Sequence, residues 1–181
     1  GAGKIVFHDS LRIDLAIENQ TFFENDALLG AINFARSNNS DIHIMGLASL
    51  GSVHSKLAHL FAILSLLKAA QVPKDKIKLH LFTDGRDAPP ASSASLFKQI
   101  EQKLQVENLA QIASISGRYF AMDRDNRWDR TQKTYECLTG RSKVQANSAQ
   151  KVISESYTSG TTDEFIEPVS LLDTNNNPVG I

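Results

Sequence analysis

Three short apolar runs, each followed at once by a polar turn that contains glycine, dominate the pattern of the chain. The runs span residues 42–47, 77–82 and 111–115. The turns that follow them span residues 49–55, 83–90 and 116–130. Near-continuous apolar runs of this length are typical of strands buried on both faces, so we predict three such strands.

Helical periodicity fills the segments between the runs. The period of 3.6 residues links His59, Leu60, Ile63, Leu64, Leu67 and Lys68, and then Leu96, Ile100 and Leu104. Alternation of strand and helix predicts an α/β fold with a parallel or mostly parallel sheet and helices on both faces. Ligands of such sheets bind beyond the carboxyl ends of the strands, so all three polar turns should border one crevice.

Local signals predict further elements within a single domain that covers residues 1–181. Helices are expected from near Ser10, from Asp26 to about Ser37 behind an Asn25 cap, from Trp128 to Leu138, and from Asn147 or Ser148 through Tyr157. Residues 168–181 predict two short strands around the turn 173–177, which would form a C-terminal hairpin.

The third turn is too charged for a core segment and too aromatic for an ordinary solvated loop. It contains Arg118, Arg124, Arg127 and Arg130, interspersed with Asp123, Asp125 and Asp129. Neighbouring carboxylates can brace some guanidinium groups, while others can make two parallel hydrogen bonds to an anionic ligand. A salt-bridged surface segment is the alternative interpretation, because exposed ion pairs of mixed sign are common and weak.

Composition narrows the class of protein. With 41% hydrophobic residues in 181 and a net charge of −1, the chain can bury one substantial core and has no global bias toward nucleic acid or membranes. No long apolar segment resembles a transmembrane helix or a signal peptide. Cys137 is the only cysteine, which predicts a packing residue and a reducing, cytoplasmic setting. The histidines show no spacing typical of a metal site.

Four segments together resemble cofactor-independent phosphoglycerate mutase. They are residues 1–6, 43–55, 84–90 and 116–130, of which the last contains the unusual runs Ser-Gly-Arg-Tyr-Phe-Ala-Met-Asp-Arg-Asp and Arg-Trp-Asp-Arg. In that family the matching region is a phosphotransferase domain inserted into a phosphatase-like domain, which holds two metal ions, usually manganese, and the serine that carries the phosphoryl group. The resemblance therefore implies an excised piece of a two-domain enzyme, with no cofactor or metal site of its own.

The implied reaction interconverts 3-phosphoglycerate and 2-phosphoglycerate through a phosphoserine, in glycolysis and gluconeogenesis. Residues at family substrate-binding positions are His54, Arg86, Asp87, Arg118 and Arg124. Asp87 would also act in catalysis, by accepting a hydrogen bond from a glycerate hydroxyl or by assisting its proton transfer. The implied partners are phosphoglycerate and the phosphatase-like domain of the same chain, in a cytoplasmic monomer that binds neither nucleic acid nor membranes.

Each of these assignments has a structural competitor. His54 opens a predicted helix, where it could simply pack, and Arg86 could pair with Asp87 across their turn. We favour ligand contact for these three. We expect Asp84 and Gly85 to shape the turn only, and Arg127 and Arg130 to brace the loop rather than contact the ligand.

Two departures from the family pattern keep a second function open. The first turn reads Ser-Leu-Gly-Ser-Val-His-Ser-Lys where the family usually has Ser-Asp-Gly-Gly-Val-His-Ser-His, so Leu50, Ser52 and Lys56 differ. The later Asn-Phe-Arg-x-x-Arg segment of the family is not within these 181 residues. The alternative is a noncatalytic anion-binding or interaction domain. Flanking segments that carry Asp and His metal ligands would favour the mutase.

Overall fold

A computed structural model describes residue 3 and residues 7–180, which fold around a five-stranded sheet. The strands are Ile42–Ala48 (β1), Ile77–Thr83 (β2), Gln111–Gly117 (β3), Gln145–Ala146 (β4) and Val169–Leu171 (β5). Their order in the sheet is β1-β2-β3-β5-β4. The first three are mutually parallel, β5 runs antiparallel to β3, and β4 runs parallel to β5. The predicted mostly parallel α/β sheet is therefore confirmed.

Seven α-helices lie among the described residues. They are Asp9–Glu18 (α1), Asp26–Asn38 (α2), Leu57–Ala69 (α3), Ser93–Glu107 (α4), Arg118–Ala121 (α5), Trp128–Leu138 (α6) and Ala149–Thr158 (α7). Short 3₁₀ turns cover Thr21–Glu24, Lys74–Lys76 and Asp163–Phe165. The predicted cap of α2 is confirmed, because the Asn25 Oδ1 accepts the N–H groups of Ala27 and Leu28 at 3.1 Å.

Helices cover both faces of the central strands. Neighbouring residues of a strand point to opposite faces of the sheet, so Ile115 and Ser114 of β3 report on the two faces. Ile115 is fully buried in the apolar core with residues of α4 and α7. Ser114 is paired in register with Ser170, whose hydroxyl donates to the Cys137 carbonyl of α6 at 3.1 Å on the other face. Burial raises the pKa of the Cys137 thiol, as expected for a packing residue.

Strand β1 differs from the other two long strands because it forms the edge of the described sheet. Every residue of β2 is buried, whereas His43 and Met45 in β1 are exposed. His43 Nδ1 lies 2.9 Å from Nε2 of the buried His80, whose Nδ1 lies 2.8 Å from the Ser114 hydroxyl oxygen. His80 is thus buried and hydrogen-bonded, and His43 stacks against it from the exposed edge of the sheet.

The chain after β5 makes a turn with only a single bridge of the predicted hairpin. Leu172 pairs with Pro178, and the Asp173 carboxylate accepts the N–H groups of Asn175 and Asn177 at 2.8 Å. Residues 1, 2, 4–6 and 181 lie outside the described part, and with them most of the first segment that resembles the family. None of the described helices is long and apolar enough to cross a bilayer.

Candidate functional site

The three polar turns meet at the carboxyl ends of β1, β2 and β3, where they border a cavity of about 400 Å³. The cavity is lined by His54, Arg86, Arg118, Tyr119, Met122, Asp123, Arg124, Asp125, Arg130, Glu164 and Phe165. Four of the five predicted site residues are in this lining. The fifth, Asp87, lies directly behind Arg118 and is bonded to it. The predicted convergence of the turns is confirmed, whereas the function of these residues remains a prediction.

Arg118 is the buried centre of the site. Its Nη1 donates to Asp84 Oδ1 at 2.7 Å and to Asp87 Oδ2 at 2.6 Å, and only 8% of Arg118 is exposed. Burial alone would lower the pKa of this guanidinium, but the two carboxylates raise the pKa above its usual value. Arg118 therefore stays charged and is held in one orientation before any ligand arrives.

Asp84 organises the second turn around Arg118. Its Oδ1 accepts the backbone N–H groups of Arg86 at 3.1 Å and Asp87 at 3.0 Å, and its Oδ2 accepts the Ser49 hydroxyl. Burial would raise the pKa of Asp84, but these donors together with Arg118 hold the pKa below its usual value. The prediction of a turn-shaping role is confirmed, although the sequence did not reveal the ion pair with Arg118.

Arg86 and Asp87 do not pair with each other, so the competing interpretation of the second turn is wrong. Asp87 is committed to Arg118, while the Arg86 guanidinium faces Glu164, with 3.8 Å between Nη1 and Oε1. About half of the Arg86 side chain is exposed. An exposed pair at this distance is weak, so Arg86 is available to a ligand that enters the cavity.

The first turn places His54 beside Asp87, with 3.7 Å between Nε2 and Oδ2. Helix α3 begins three residues later, at Leu57, so the prediction that His54 opens this helix is wrong. Gly51 explains the shape of the turn, because a Cβ at this position would overlap the Asp87 carbonyl carbon at 2.7 Å. Ser52 keeps a left-handed conformation with φ +57°, which glycine adopts more easily. The turn thus retains a backbone conformation that favours glycine, although Ser52 stands where the family usually has glycine.

The third turn is held by Asp123. Its carboxylate accepts the backbone N–H of Arg127 at 2.8 Å and lies 3.2 Å from the Nη1 of Arg130. The Arg130 guanidinium also stacks 3.7 Å from the centre of the Tyr119 ring. The predicted bracing role is therefore confirmed for Arg130, whereas Arg127 contributes only its backbone N–H and the role of its side chain stays a prediction. Arg124 differs from Arg130, because it is exposed at the cavity and forms no ion pair within residues 7–180.

Sequence reasoning missed the fourth wall of the cavity, which is the 3₁₀ turn Asp163–Phe165. Glu164 lies opposite Arg86, and the Phe165 ring contacts the Tyr119 ring with 5.0 Å between centres. The Gly117 N–H donates to the Ile166 carbonyl at 2.6 Å, which fastens this segment to the end of β3. No periodicity marks these residues, and the neighbouring Asp and Glu are the only local signal.

The donor set of the described residues does not fit a pair of metal ions. No group of three or more His, Cys, Asp or Glu side chains within residues 7–180 could coordinate a metal. Asp84 and Asp87 are both bonded to Arg118. Four of the eleven residues that line the cavity are arginines.

Comparison with known proteins shows the family to which the chain belongs. A family model described as the BPG-independent PGAM N-terminus matches residues 13–181. The chain belongs to this family. Among its relatives, 2,3-bisphosphoglycerate-independent phosphoglycerate mutase 1 of Methanosarcina barkeri is 43% identical over 182 residues, which cover 100% of this chain and 35% of that protein. The corresponding mutase of Moorella thermoacetica is 45% identical over 168 residues, which cover 93% of this chain and 32% of that protein.

A solved structure of Leishmania mexicana phosphoglycerate mutase, determined at low cobalt concentration, has the same fold. Its TM-score is 0.88 with 26% sequence identity, and the match covers 99% of this chain and 34% of that one. This chain thus spans about a third of the length of these mutases. It corresponds to their N-terminal phosphotransferase region, which confirms the resemblance stated from the sequence.

Proposed function

We propose that this domain binds phosphoglycerate and positions it while a phosphoglycerate mutase interconverts 3-phosphoglycerate and 2-phosphoglycerate. The observation that carries the proposal is the convergence of Arg86, Arg118, Arg124 and Arg130 on one cavity at the carboxyl ends of the strands. Guanidinium groups bind carboxylate and phosphate oxygens through two parallel hydrogen bonds, and phosphoglycerate presents both anions.

The role of each arginine would depend on its burial. Arg86 and Arg124 are exposed and would bind the anionic groups directly. Arg118 is buried and would supply a fixed positive charge beneath the ligand. Because it is already oriented by Asp84 and Asp87, little reorganisation accompanies binding.

Asp87 and His54 would lie beside the glycerate hydroxyl. Arg118 occupies Oδ2 of Asp87, which leaves Oδ1 as the oxygen that could accept a hydrogen bond from the hydroxyl or receive its proton. His54 Nε2 lies 3.7 Å from the same carboxylate and could contact the ligand beside it. The contribution of this domain is therefore orientation and charge neutralisation, and these lower the barrier without breaking a bond.

Bond making would take place on a phosphatase-like domain elsewhere in the full-length protein, which would carry the serine and two divalent metal ions, with manganese the expected metal. Metal ions there would supply Lewis-acid stabilisation of the phosphoryl group. The proposal includes a role in glycolysis and gluconeogenesis, as a cytoplasmic monomer.

Calorimetric titration of this 181-residue chain with 3-phosphoglycerate tests the proposed binding. We expect binding, and we expect Arg124→Ala to weaken it about ten-fold, since a charge-assisted hydrogen bond contributes roughly 1.5–3 kcal/mol. Arg141→Ala removes the same charge at a residue that does not line the cavity and lies over the Tyr135 ring, and it should leave the affinity unchanged. Absence of binding, or equal losses in both variants, would overturn the proposal.

The same chain should not interconvert the two phosphoglycerates, because the nucleophile and the metal site lie in the other domain. Addition of Mn²⁺ should not restore the reaction. A coupled assay of the purified chain, compared with buffer and with a mock purification, measures this. Turnover clearly above both controls would show that the chemistry resides in these 181 residues.

A further inference from the structure

Asp163 is a fully buried carboxylate, with an exposed fraction of 0%, and the next two residues of its 3₁₀ turn, Glu164 and Phe165, line the cavity. Its Oδ2 accepts the backbone N–H groups of Ser92 and Ser93 at 2.9 Å each, at the start of α4. Its Oδ1 accepts the Tyr157 hydroxyl from α7. Buried carboxylates are stable only when their oxygens are satisfied, and this one is satisfied by Ser92 and Ser93, about 70 positions away, and by Tyr157 of the preceding helix.

The backbone of Asp163 makes two more long-range bonds. Its N–H donates to the Pro90 carbonyl at 2.9 Å, and its carbonyl accepts the Thr83 hydroxyl at 2.7 Å. Thr83 ends β2, and Pro90 lies in the loop between β2 and α4. One residue therefore joins the end of a central strand, the following loop and the beginning of the next helix.

That loop, residues 84–92, carries Arg86 and Asp87. Asp84 holds the first half of the loop through the two backbone N–H groups described above. Asp163 holds the second half through Ser92, Ser93 and Pro90. The two anchors meet at Gly85, since a Cβ there would lie 2.9 Å from the Asp163 Cβ.

Asp163 also fixes the position of the next residue, Glu164. The Glu164 backbone N would lie 2.7 Å from a Cβ at Gly85, so this backbone is in contact with the turn that presents Arg86. Its carboxylate then faces the Arg86 guanidinium at 3.8 Å. A shift of the Asp163 backbone would consequently move the arginine-bearing loop and its acidic neighbour together.

We propose that Asp163 is a positioning residue that fixes Arg86, Asp87 and Glu164 around the ligand without touching it. This inference rests on the proposed function, because the ligand is taken to be phosphoglycerate. The charge of Asp163 matters to the role, since a carboxylate accepts backbone N–H groups more strongly than a neutral amide does. The hydrogen bond from Tyr157 fixes the carboxylate in turn.

The test uses the full-length protein with three variants. Asp163→Asn should raise the Kd for 3-phosphoglycerate about five- to ten-fold, because a neutral amide oxygen accepts the Ser92 and Ser93 N–H groups more weakly and the amide NH2 group cannot accept the Tyr157 hydroxyl. Tyr157→Phe should raise the Kd about two- to three-fold. Asn25→Ala is the matched control, because loss of the α2 cap destabilises the fold by about 1 kcal/mol at a residue that does not line the cavity. Its Kd should stay within error of the wild type.

Hydrogen exchange at the backbone N–H groups of Arg86 and Asp87 gives a second readout that needs no ligand. We expect at least ten-fold faster exchange in Asp163→Asn than in Asn25→Ala at equal global stability. If the wild type does not bind phosphoglycerate, the proposed function fails while exchange still decides the positioning role. If Asp163→Asn does not fold, Tyr157→Phe decides alone. Equal affinity and equal exchange in the foldable variants and the control would overturn the inference.

Discussion

Removal of Arg118 should destabilise the domain much more than removal of a surface arginine. In Arg118→Ala, the Asp84 carboxylate would remain 1% exposed without its cation. Ser49 and two backbone N–H groups would still satisfy its oxygens, but the charge would lie uncompensated in the interior. Removing one partner of a buried ion pair typically lowers the free energy of unfolding by about 3–5 kcal/mol, which is a large part of the stability of a domain.

Urea unfolding at several pH values measures this effect. In the wild type the pKa of Asp84 is lowered, so its contribution to stability is present at neutral pH and is lost only as the pH falls below the usual value of 3.8. Without Arg118, burial would be opposed only by the Ser49 hydroxyl and the two backbone N–H groups, so the pKa of Asp84 would be higher than in the wild type and the carboxyl would take up a proton at a higher pH. The stability difference between variant and wild type should therefore narrow as the pH falls from 7 to 4.

Arg12→Ala is the matched control, since the Arg12–Asp9 pair is highly exposed and its loss should change the free energy of unfolding by less than about 0.5 kcal/mol. Arg118→Lys should recover part of the stability, because the ammonium keeps the charge. It should still weaken phosphoglycerate binding about ten-fold, because an ammonium lacks the planar guanidinium geometry that can bind two carboxylates and a ligand together. A pH-independent loss below 1 kcal/mol in Arg118→Ala would refute the reasoning.

Three further changes are predicted. Ser52→Gly should raise the free energy of unfolding by about 0.5–1 kcal/mol in urea titrations, because Ser52 occupies a left-handed conformation, and a loss of stability would contradict this. Gly117→Ala should destabilise by about 1–3 kcal/mol, since its Cβ would lie 2.7 Å from the Ile166 N, whereas Gly46→Ala meets no atom within 4 Å and should be neutral. Burial, then the charge of His43, lowers the pKa of His80 from 6.5 to about 4, so the unfolded chain binds the proton first as the pH falls. Stability should drop by roughly 2 kcal/mol between pH 7 and pH 5, and His80→Gln should flatten that slope in the same titrations.

Sequence reasoning located the fold because the three long strands are continuous apolar runs with period-matched helices between them. It placed Arg86, Arg118 and Arg124 in one site because the carboxyl ends of parallel strands share one edge of the sheet. These inferences depend on local pattern and on general rules of topology. They needed no knowledge of particular side-chain contacts.

The remaining features depend on contacts between distant residues, which leave no periodic signal. The pairing of Asp84 with Arg118 spans 34 positions, so the sequence indicated only that Asp84 shapes its turn. Strand β4 has two residues and β5 has three, too short for any alternation to be recognised. Glu164 was missed for the same reason, since only tertiary packing brings it to the wall of the cavity.

The long separation between Asp163 and its partners has a consequence for how the domain folds. The bond to Thr83 joins residues 80 positions apart, and the bonds to Ser92 and Ser93 span about 70. Closing loops of this length is slow relative to forming the helices and the local β-α-β units. Strands β1 to β3 can thus assemble during synthesis before residue 163 has emerged, but the arginine-bearing loop would then lack its second anchor. Nascent chains that end before residue 163 should contain strands β1 to β3 without a competent cavity, and ligand binding should appear abruptly once that turn is complete.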